Sequence, residues 1–90
     1  MELMKKPLNY AILLYFTRHE EGNADSVIAE LESEYGSYRA FKKNGVIESL
    51  MTSKENGILE DVRTELVGDE ELKVWYKLTD YGSDLIKRFL

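Results

Sequence analysis

The 90-residue sequence contains no cysteine, and this absence excludes several kinds of chemistry. Disulfides, thiolate nucleophiles and cysteine-based zinc or iron–sulfur sites all require that residue. The sequence has one histidine, His19, which gives little support for a histidine metal site or a Ser-His-Asp triad. No glycine-rich phosphate-binding motif is present. We therefore expect a protein that is not an enzyme and that uses no metal or cofactor.

Long hydrophobic runs are also missing. The longest apolar stretch, residues 10–16, is far too short to cross a bilayer, and no signal-peptide pattern precedes it. We expect no membrane association and a reducing, cytoplasmic location. Pro7 is the only proline, and it suits the first turn of a helix, where a backbone N–H is not needed.

Basic residues are outnumbered, with 12 Lys and Arg against 17 Asp and Glu, for a net charge of −5. That balance argues mildly against a nucleic-acid binder, whose usual surface is basic. The acid is concentrated in two blocks, residues 20–35 and 57–72. Between them lies a modestly basic segment, which contains Arg39, Lys42, Lys43 and Lys54.

Hydrophobic spacing predicts a single domain over residues 1–90. Helical periodicity covers residues 7–19 and 24–35, and a third helix begins between residues 38 and 44 and ends near 56. Alternation then predicts strands at about 58–67 and 72–79, followed by a helix at about 80–90. For Ile58, Val62 and Leu66 to share a face with Val74 and Tyr76, the hairpin loop must hold an odd number of residues, either 69–71 or 67–71.

The resulting order is helix, helix, helix, strand, strand, helix. It predicts an α+β winged helix-turn-helix, with three helices, a two-stranded β-hairpin wing and a C-terminal helix. Variants with three strands add a short one between the first two helices, which here falls near Gly22 and Asn23.

Two segments have distinctive patterns. The first is SLMTSKENGILED, residues 49–61, where a leucine-bearing helix is followed by a polar run, a glycine, an aliphatic pair and an acid. The second is YKLTDYGSDLIKRFL, residues 76–90, with its aromatic-x-Leu-Thr-x-x-Gly-x-x-Leu pattern. Together they resemble PadR-like and MarR-like winged-helix regulators. The resemblance implies a winged-helix fold and a DNA-binding role in transcriptional regulation.

In that family the recognition helix, here within residues 38–56, enters the major groove of double-stranded DNA. With Ile47 set inward, helical geometry places Ser49, Thr52 and Ser53 near the opposite face, where small polar side chains approach base edges. The expected phosphate contacts are the four basic residues of the segment between the acidic blocks, Arg39, Lys42, Lys43 and Lys54. The acidic wing tip, Asp69-Glu70-Glu71, departs from the family pattern because it would repel phosphates.

A homodimer is expected because winged-helix regulators commonly span two half-sites. The candidate interface residues are the second apolar stripe of the first helix, an exposed tryptophan and the apolar end of the chain: Tyr10, Leu13, Leu14, Trp75 and Phe89. For Trp75 an alternative is a partly buried ring held by a cation on the hairpin's outer face. The alternative function is a winged-helix protein-interaction or dimerisation module that does not bind DNA.

Overall fold

The computed structural model describes residues 7–39, 41–68 and 71–89, with only the backbone at Phe89. The predicted order of elements and the winged-helix fold are confirmed, and the third helix begins at Lys43, the late end of the predicted interval. The elements are α1 (Leu8–Arg18), α2 (Ala24–Tyr35), α3 (Lys43–Glu55), β1 (Leu59–Val67), β2 (Glu71–Leu78) and α4 (Asp80–Phe89).

Local chemistry sets the boundary between α1 and α2. His19 follows the last residue of α1, stacks on Tyr15 at 4.3 Å between ring centroids, and lies 2.7 Å from the Glu30 carboxylate. The Asn23 side chain accepts a hydrogen bond from the Ser26 backbone N–H, and the Ser26 hydroxyl accepts one from the Asn23 N–H, which completes a capping box. Gly22 forms an isolated antiparallel bridge with Tyr76, at the position where three-stranded variants add their strand.

The core lies where α1, α2 and α3 meet the base of the wing. The described buried side chains that form it come from five elements and the α2–α3 connection: Ala11, Ile12, Tyr15, Phe16, Val27, Leu31, Tyr35, Phe41, Val46, Leu50, Leu59 and Tyr76. α4 packs against α1 and β2 and adds a buried Ile86.

The wing has two registers, because a β-bulge interrupts β1. Near the tip Leu66 pairs with Leu72 and Val67 with Glu71, which leaves a three-residue loop and confirms the predicted parity there. The register shifts between Asp61 and Arg63, so that Leu59 pairs with Leu78 at the base. The prediction that Ile58 and Val62 share the face of Val74 and Tyr76 was therefore wrong. Leu59 is the buried residue, 1% exposed, and Val62 occupies the bulge.

The two segments that carried the resemblance meet at one corner of the molecule. The Thr79 hydroxyl donates to the Gly57 carbonyl at 2.6 Å and accepts from the Gly82 N–H at 2.9 Å, which caps α4. Gly57 has φ of +81°, a left-handed conformation that glycine adopts without strain. The start of the wing and the start of the last helix are thus joined through Thr79.

The inward face of α3 differs from the predicted one. Val46, Leu50 and Ser53 are buried, whereas Ile47 is half-buried and Met51 is 52% exposed. The chain turns back directly after the helix, and the Ile58 N–H donates to the Ser53 carbonyl at 2.9 Å. This return covers Ser53, so the prediction that it lies on the exposed face was wrong.

Candidate nucleic-acid interface

The face of α3 that points away from the core is polar and partly acidic. Because residues advance by about 100° along a helix, the side opposite Val46, Leu50 and Ser53 carries Asn44, Glu48 and Glu55. All three are exposed, and Met51 and Thr52 flank them. Arginine is absent from α3, so this helix offers no guanidinium for guanine.

Cations at the entrance to α3 are the strongest feature for DNA. Arg39 and Lys42 are exposed, and neither forms an ion pair within the described residues. Lys42 is the N-cap residue and its side chain makes no capping hydrogen bond, while the first turn of the helix contains no acid. The N-terminus of α3 therefore presents backbone donors and two positive charges, the combination that favours phosphate.

Lys43, the next predicted phosphate contact, is held by two carboxylates instead. Its Nζ lies 2.6 Å from the Glu71 carboxylate on the wing and 3.4 Å from the Asp25 carboxylate in the first turn of α2. The hydrogen bond to Glu71 raises the pKa of Lys43 above its ordinary value, with Asp25 adding to the effect. A phosphate must displace these carboxylates before it reaches Lys43.

Lys73 on the wing and Lys54 near the end of α3 are also paired. Lys73 Nζ lies 3.2 Å from the Asp25 carboxylate, and this hydrogen bond, together with Lys43, lowers the pKa of Asp25. Lys54 Nζ lies 3.2 Å from the Asp61 carboxylate and lowers the pKa of that acid. The positive band expected from the sequence is thus interrupted by Asp25, Glu71 and Asp61, and its free part is confined to Arg39 and Lys42.

A groove of about 520 Å³ lies between α3 and the wing. Its floor is apolar, and ion pairs of Lys43 and Lys54 border it. The apolar residues that line it are Ala24, Ile47, Leu50, Met51, Leu72, Val74 and Tyr76. Near the tip of the wing the apolar side chains are open to solvent, since Leu66 and Leu72 are 69% and 60% exposed.

This geometry matches solved structures of winged-helix regulators. Bacillus subtilis PadR in complex with operator DNA superposes with a TM-score of 0.72 at 24% identity, covering 91% of this chain and 45% of PadR. A PadR-like transcriptional regulator from Bacillus cereus gives 0.67 at 16% identity, with 91% and 76% covered. The reduced form of YodB from B. subtilis gives 0.63 at 19%, with 93% and 72% covered.

The chain has the fold of a PadR-like winged-helix regulator. It spans less than half the length of PadR. At these three sequence identities, the structural similarity establishes a common fold. No family model matches the sequence, and no curated protein is similar to it in sequence.

The three small polar residues predicted to approach bases are separated by the structure. Thr52 is exposed, as expected. Ser49 is half-buried and donates to the Asn9 side chain at 2.8 Å, which ties it to α1, and Ser53 is buried. Asn44 and Glu48 are exposed instead, and they are not among the residues predicted with Ile47 set inward. The signal in the sequence that would place them outward is the Val46–Leu50 pair, which also fits a helical stripe.

Trp75 lies on the other face of the hairpin from Tyr76. The Arg63 guanidinium carbon is 4.4 Å from its ring centroid and Lys73 Nζ is 5.9 Å away. Arg63 also pairs with Glu21. The ring is half-buried beneath these cations, as in the structural alternative proposed from the sequence.

The candidate dimer residues on α1 are half-buried. Tyr10, Leu13 and Leu14 are neither fully covered nor fully exposed, and Leu13 packs partly against the core. The Phe89 side chain lies outside the described residues.

Within the described part of the chain, no helix is long and apolar enough to cross a bilayer. There, too, no group of three or more His, Asp or Glu side chains is arranged to hold a metal.

Proposed function

We propose that this domain is a DNA-binding transcriptional regulator that inserts α3 into the major groove. The observation that carries the proposal is the entrance to α3, where Arg39 and Lys42 form no ion pair with any described residue and the helix N-terminus has no side-chain cap. Winged-helix proteins place the N-terminal residues of this helix against base edges and the preceding segment against the backbone. The likeness to PadR in complex with operator DNA supports the same orientation.

The charge distribution predicts weak binding with a modest dependence on salt. Each phosphate neutralised by a cation contributes about 0.9 to the slope of log affinity against log salt. Arg39 and Lys42 supply two such contacts, and Lys43 supplies a third only after Glu71 and Asp25 release it. The net charge of −5 opposes association further.

The test is binding of the whole chain to fluorescent duplexes with a randomised core, measured by anisotropy at low salt. Arg39→Glu combined with Lys42→Glu should abolish binding. The matched control is Lys87→Glu with Arg88→Glu, which reverses two exposed charges at the end of α4 and should weaken binding only slightly. A folded wild-type protein that retains no duplex at low salt would rule out the proposal.

A homodimer completes this proposal, because two recognition helices are needed to read two half-sites. The half-buried stripe of Tyr10, Leu13 and Leu14 is the proposed contact. Sedimentation should give twice the monomer mass for the wild type and for Thr17→Asp, and the monomer mass for Leu14→Asp. A wild type that sediments as a monomer at every concentration contradicts the dimer.

A second candidate function is a protein-interaction module without DNA binding. It is favoured by the pairing of Lys43 and Lys54 with acids and by the two carboxylates, Glu48 and Glu55, on the outward face of α3. Under this alternative the charge reversal at Arg39 and Lys42 has no effect on assembly. Leu14→Asp or Trp75→Ala disrupts it instead.

A further inference from the structure

Asn44 and Glu48 form a pair of free polar groups on the outward face of α3. They are four residues apart, so their side chains lie one above the other along the helix. Both are exposed, and neither makes a side-chain hydrogen bond or ion pair within the described residues. They are also close to the N-terminal end of the helix, the part that meets base edges in a winged helix.

The other polar residues of α3 are less suited to reading bases. Ser49 is tied to Asn9, Ser53 is buried, and Lys43 and Lys54 are held by acids on the wing or on α2. Thr52 is exposed but lies two turns from the helix start, and Glu55 is the last residue of the helix. Asn44 and Glu48 are therefore the polar residues best placed in the N-terminal part of α3, which approaches the major groove of DNA.

Each of the two has a definite chemical preference in the major groove. An asparagine amide can donate to adenine N7 and accept from its N6 amino group at the same time. A carboxylate can only accept, so Glu48 fits the N4 amino group of cytosine. It is repelled by the acceptor edges of guanine and by thymine O4.

We propose that Asn44 and Glu48 are the specificity-determining residues of α3, and that the sequence they read contains an adenine and a cytosine close together. This inference rests on the proposed DNA binding. Side chains one helical turn apart are separated by about 5–6 Å, which corresponds to roughly two base-pair steps of 3.4 Å. The two bases are therefore expected within about two steps of each other.

Glu48 has opposite effects on affinity and on specificity. Its charge lies near phosphates and weakens binding to every duplex, but it disfavours bases that present acceptors. Removing it should raise affinity for random DNA while reducing discrimination. A residue that contributed only charge would raise affinity and leave the preferred sequence unchanged.

The experiment is selection from a duplex library with a randomised core, followed by sequencing, using the full chain and four variants. Asn44→Ala should remove the adenine preference at one position, and Glu48→Ala should remove the cytosine preference at another, each by roughly 5- to 150-fold. Glu55→Ala is the matched control for Glu48→Ala, since it removes the same charge from the same face. Asn56→Ala is the control for Asn44→Ala, since it removes the same amide from an exposed position at the other end of α3. Both controls should keep the wild-type preferences.

The outcomes separate this inference from the function on which it rests. If the wild type enriches a sequence and both Asn44→Ala and Glu48→Ala enrich the same one, the assignment of the two residues is overturned while DNA binding stands. If the wild type enriches nothing, the proposed function fails and the assignment fails with it. Loss of the two preferences at separate positions, with the controls unchanged, supports the assignment.

Discussion

Gly82 lies in the first turn of α4 directly against the start of the wing. A Cβ added there would overlap the carbonyl oxygen of Ile58. The same corner contains Thr79, whose hydroxyl links the Gly57 carbonyl to the Gly82 N–H. One small residue therefore allows the close approach of two elements that are distant in sequence.

Gly82→Ala tests how closely α4 contacts the start of the wing, because the substitution has two opposite effects on the stability of the fold. Alanine in a helix is favoured over glycine by up to about 1 kcal/mol. Overpacking against a fixed carbonyl costs about 1–3 kcal/mol, so we expect net destabilisation in urea unfolding. Asp84→Ala, at an exposed position of α4, is the control and should change stability little. A stabilised Gly82→Ala variant would show that the corner is looser than the structure has it.

Residues that act through their immediate neighbours could be predicted from the sequence. Asn23 caps α2 through Ser26, three positions away, and Gly57 closes α3, because both effects depend on local backbone geometry. The ion pairs of Lys43 could not be predicted in this way. They depend on which carboxylates the hairpin and α2 bring to it, Glu71 being 28 residues further along the chain.

At the scale of elements, the orientation of α3 decides which of its residues meet a partner. Two stripes were compatible with its sequence, one through Val46 and Leu50 and one through Ile47, Leu50 and Met51. The two stripes correspond to orientations of α3 that differ by a fraction of a turn about the helix axis. Which stripe is buried depends on how the chain returns past Ser53 into β1. The bulge in β1 was unpredictable for a related reason. Ile58 and Leu59 are both aliphatic, so alternation alone cannot tell which one faces inward.

Adjacent residues of α3 provide a direct test of its orientation. Ser53→Glu should destabilise the fold by about 3 kcal/mol or more, since it places an unpaired carboxylate in a buried position. Thr52→Glu introduces the same side chain one residue earlier, on an exposed position, and should change stability by less than about 0.5 kcal/mol. Urea unfolding measures both. Equal effects, or the reverse order, would mean that α3 is rotated from the orientation described.

The contact between the wing and α3 carries a prediction about salt. Glu71→Gln removes the carboxylate 2.6 Å from Lys43 and makes that lysine more available to phosphate. We expect tighter binding to duplex DNA at low salt and a salt slope steeper by up to about 0.9, the value for one added phosphate contact.

Glu65→Gln is the control for this prediction. It makes the same charge change on an exposed position of the wing, where the described structure shows no ion pair. It should raise affinity slightly through the change in net charge, with the slope unaltered. An equal change of slope in both variants would show that overall charge, and not the release of Lys43, accounts for the effect.

At the scale of the whole molecule, the ion pairs add surface links between elements that the core also joins. Asp25 links α2 to Lys43 of α3 and Lys73 of the wing, and Glu30 links α2 to Arg18 and His19 at the end of α1. These two acids have lowered pKa values, Asp25 chiefly through Lys73 and Glu30 chiefly through Arg18. The acids of α2 thus hold both the wing and α1 while reducing the positive surface available to DNA.

This arrangement predicts how stability depends on pH. A carboxyl group whose pKa is lower in the folded chain than in the unfolded chain stabilises the fold above the unfolded value, near 4. That contribution is lost as pH falls through the lowered folded values. We therefore expect the urea midpoint to change little between about pH 8 and 5.5 and to fall below about pH 4.

Asp25→Asn should reduce stability at neutral pH, because it removes the ion pairs with Lys73 and Lys43. It should also make the decline in acid shallower, because the asparagine has no carboxyl group whose pKa folding lowers. The expected loss is small, at most about 1 kcal/mol, since the carboxylate is 45% exposed and solvent screens the pairs. Asp84→Asn, at an exposed site on α4 without an ion pair in the described structure, should leave the acid profile unchanged. If both variants follow the wild-type curve, the wing is held against the helices by apolar contact and by the pairing of Tyr76 with Gly22 in the α1–α2 connection. Asp25 then serves chiefly to occupy two lysines that DNA would otherwise use.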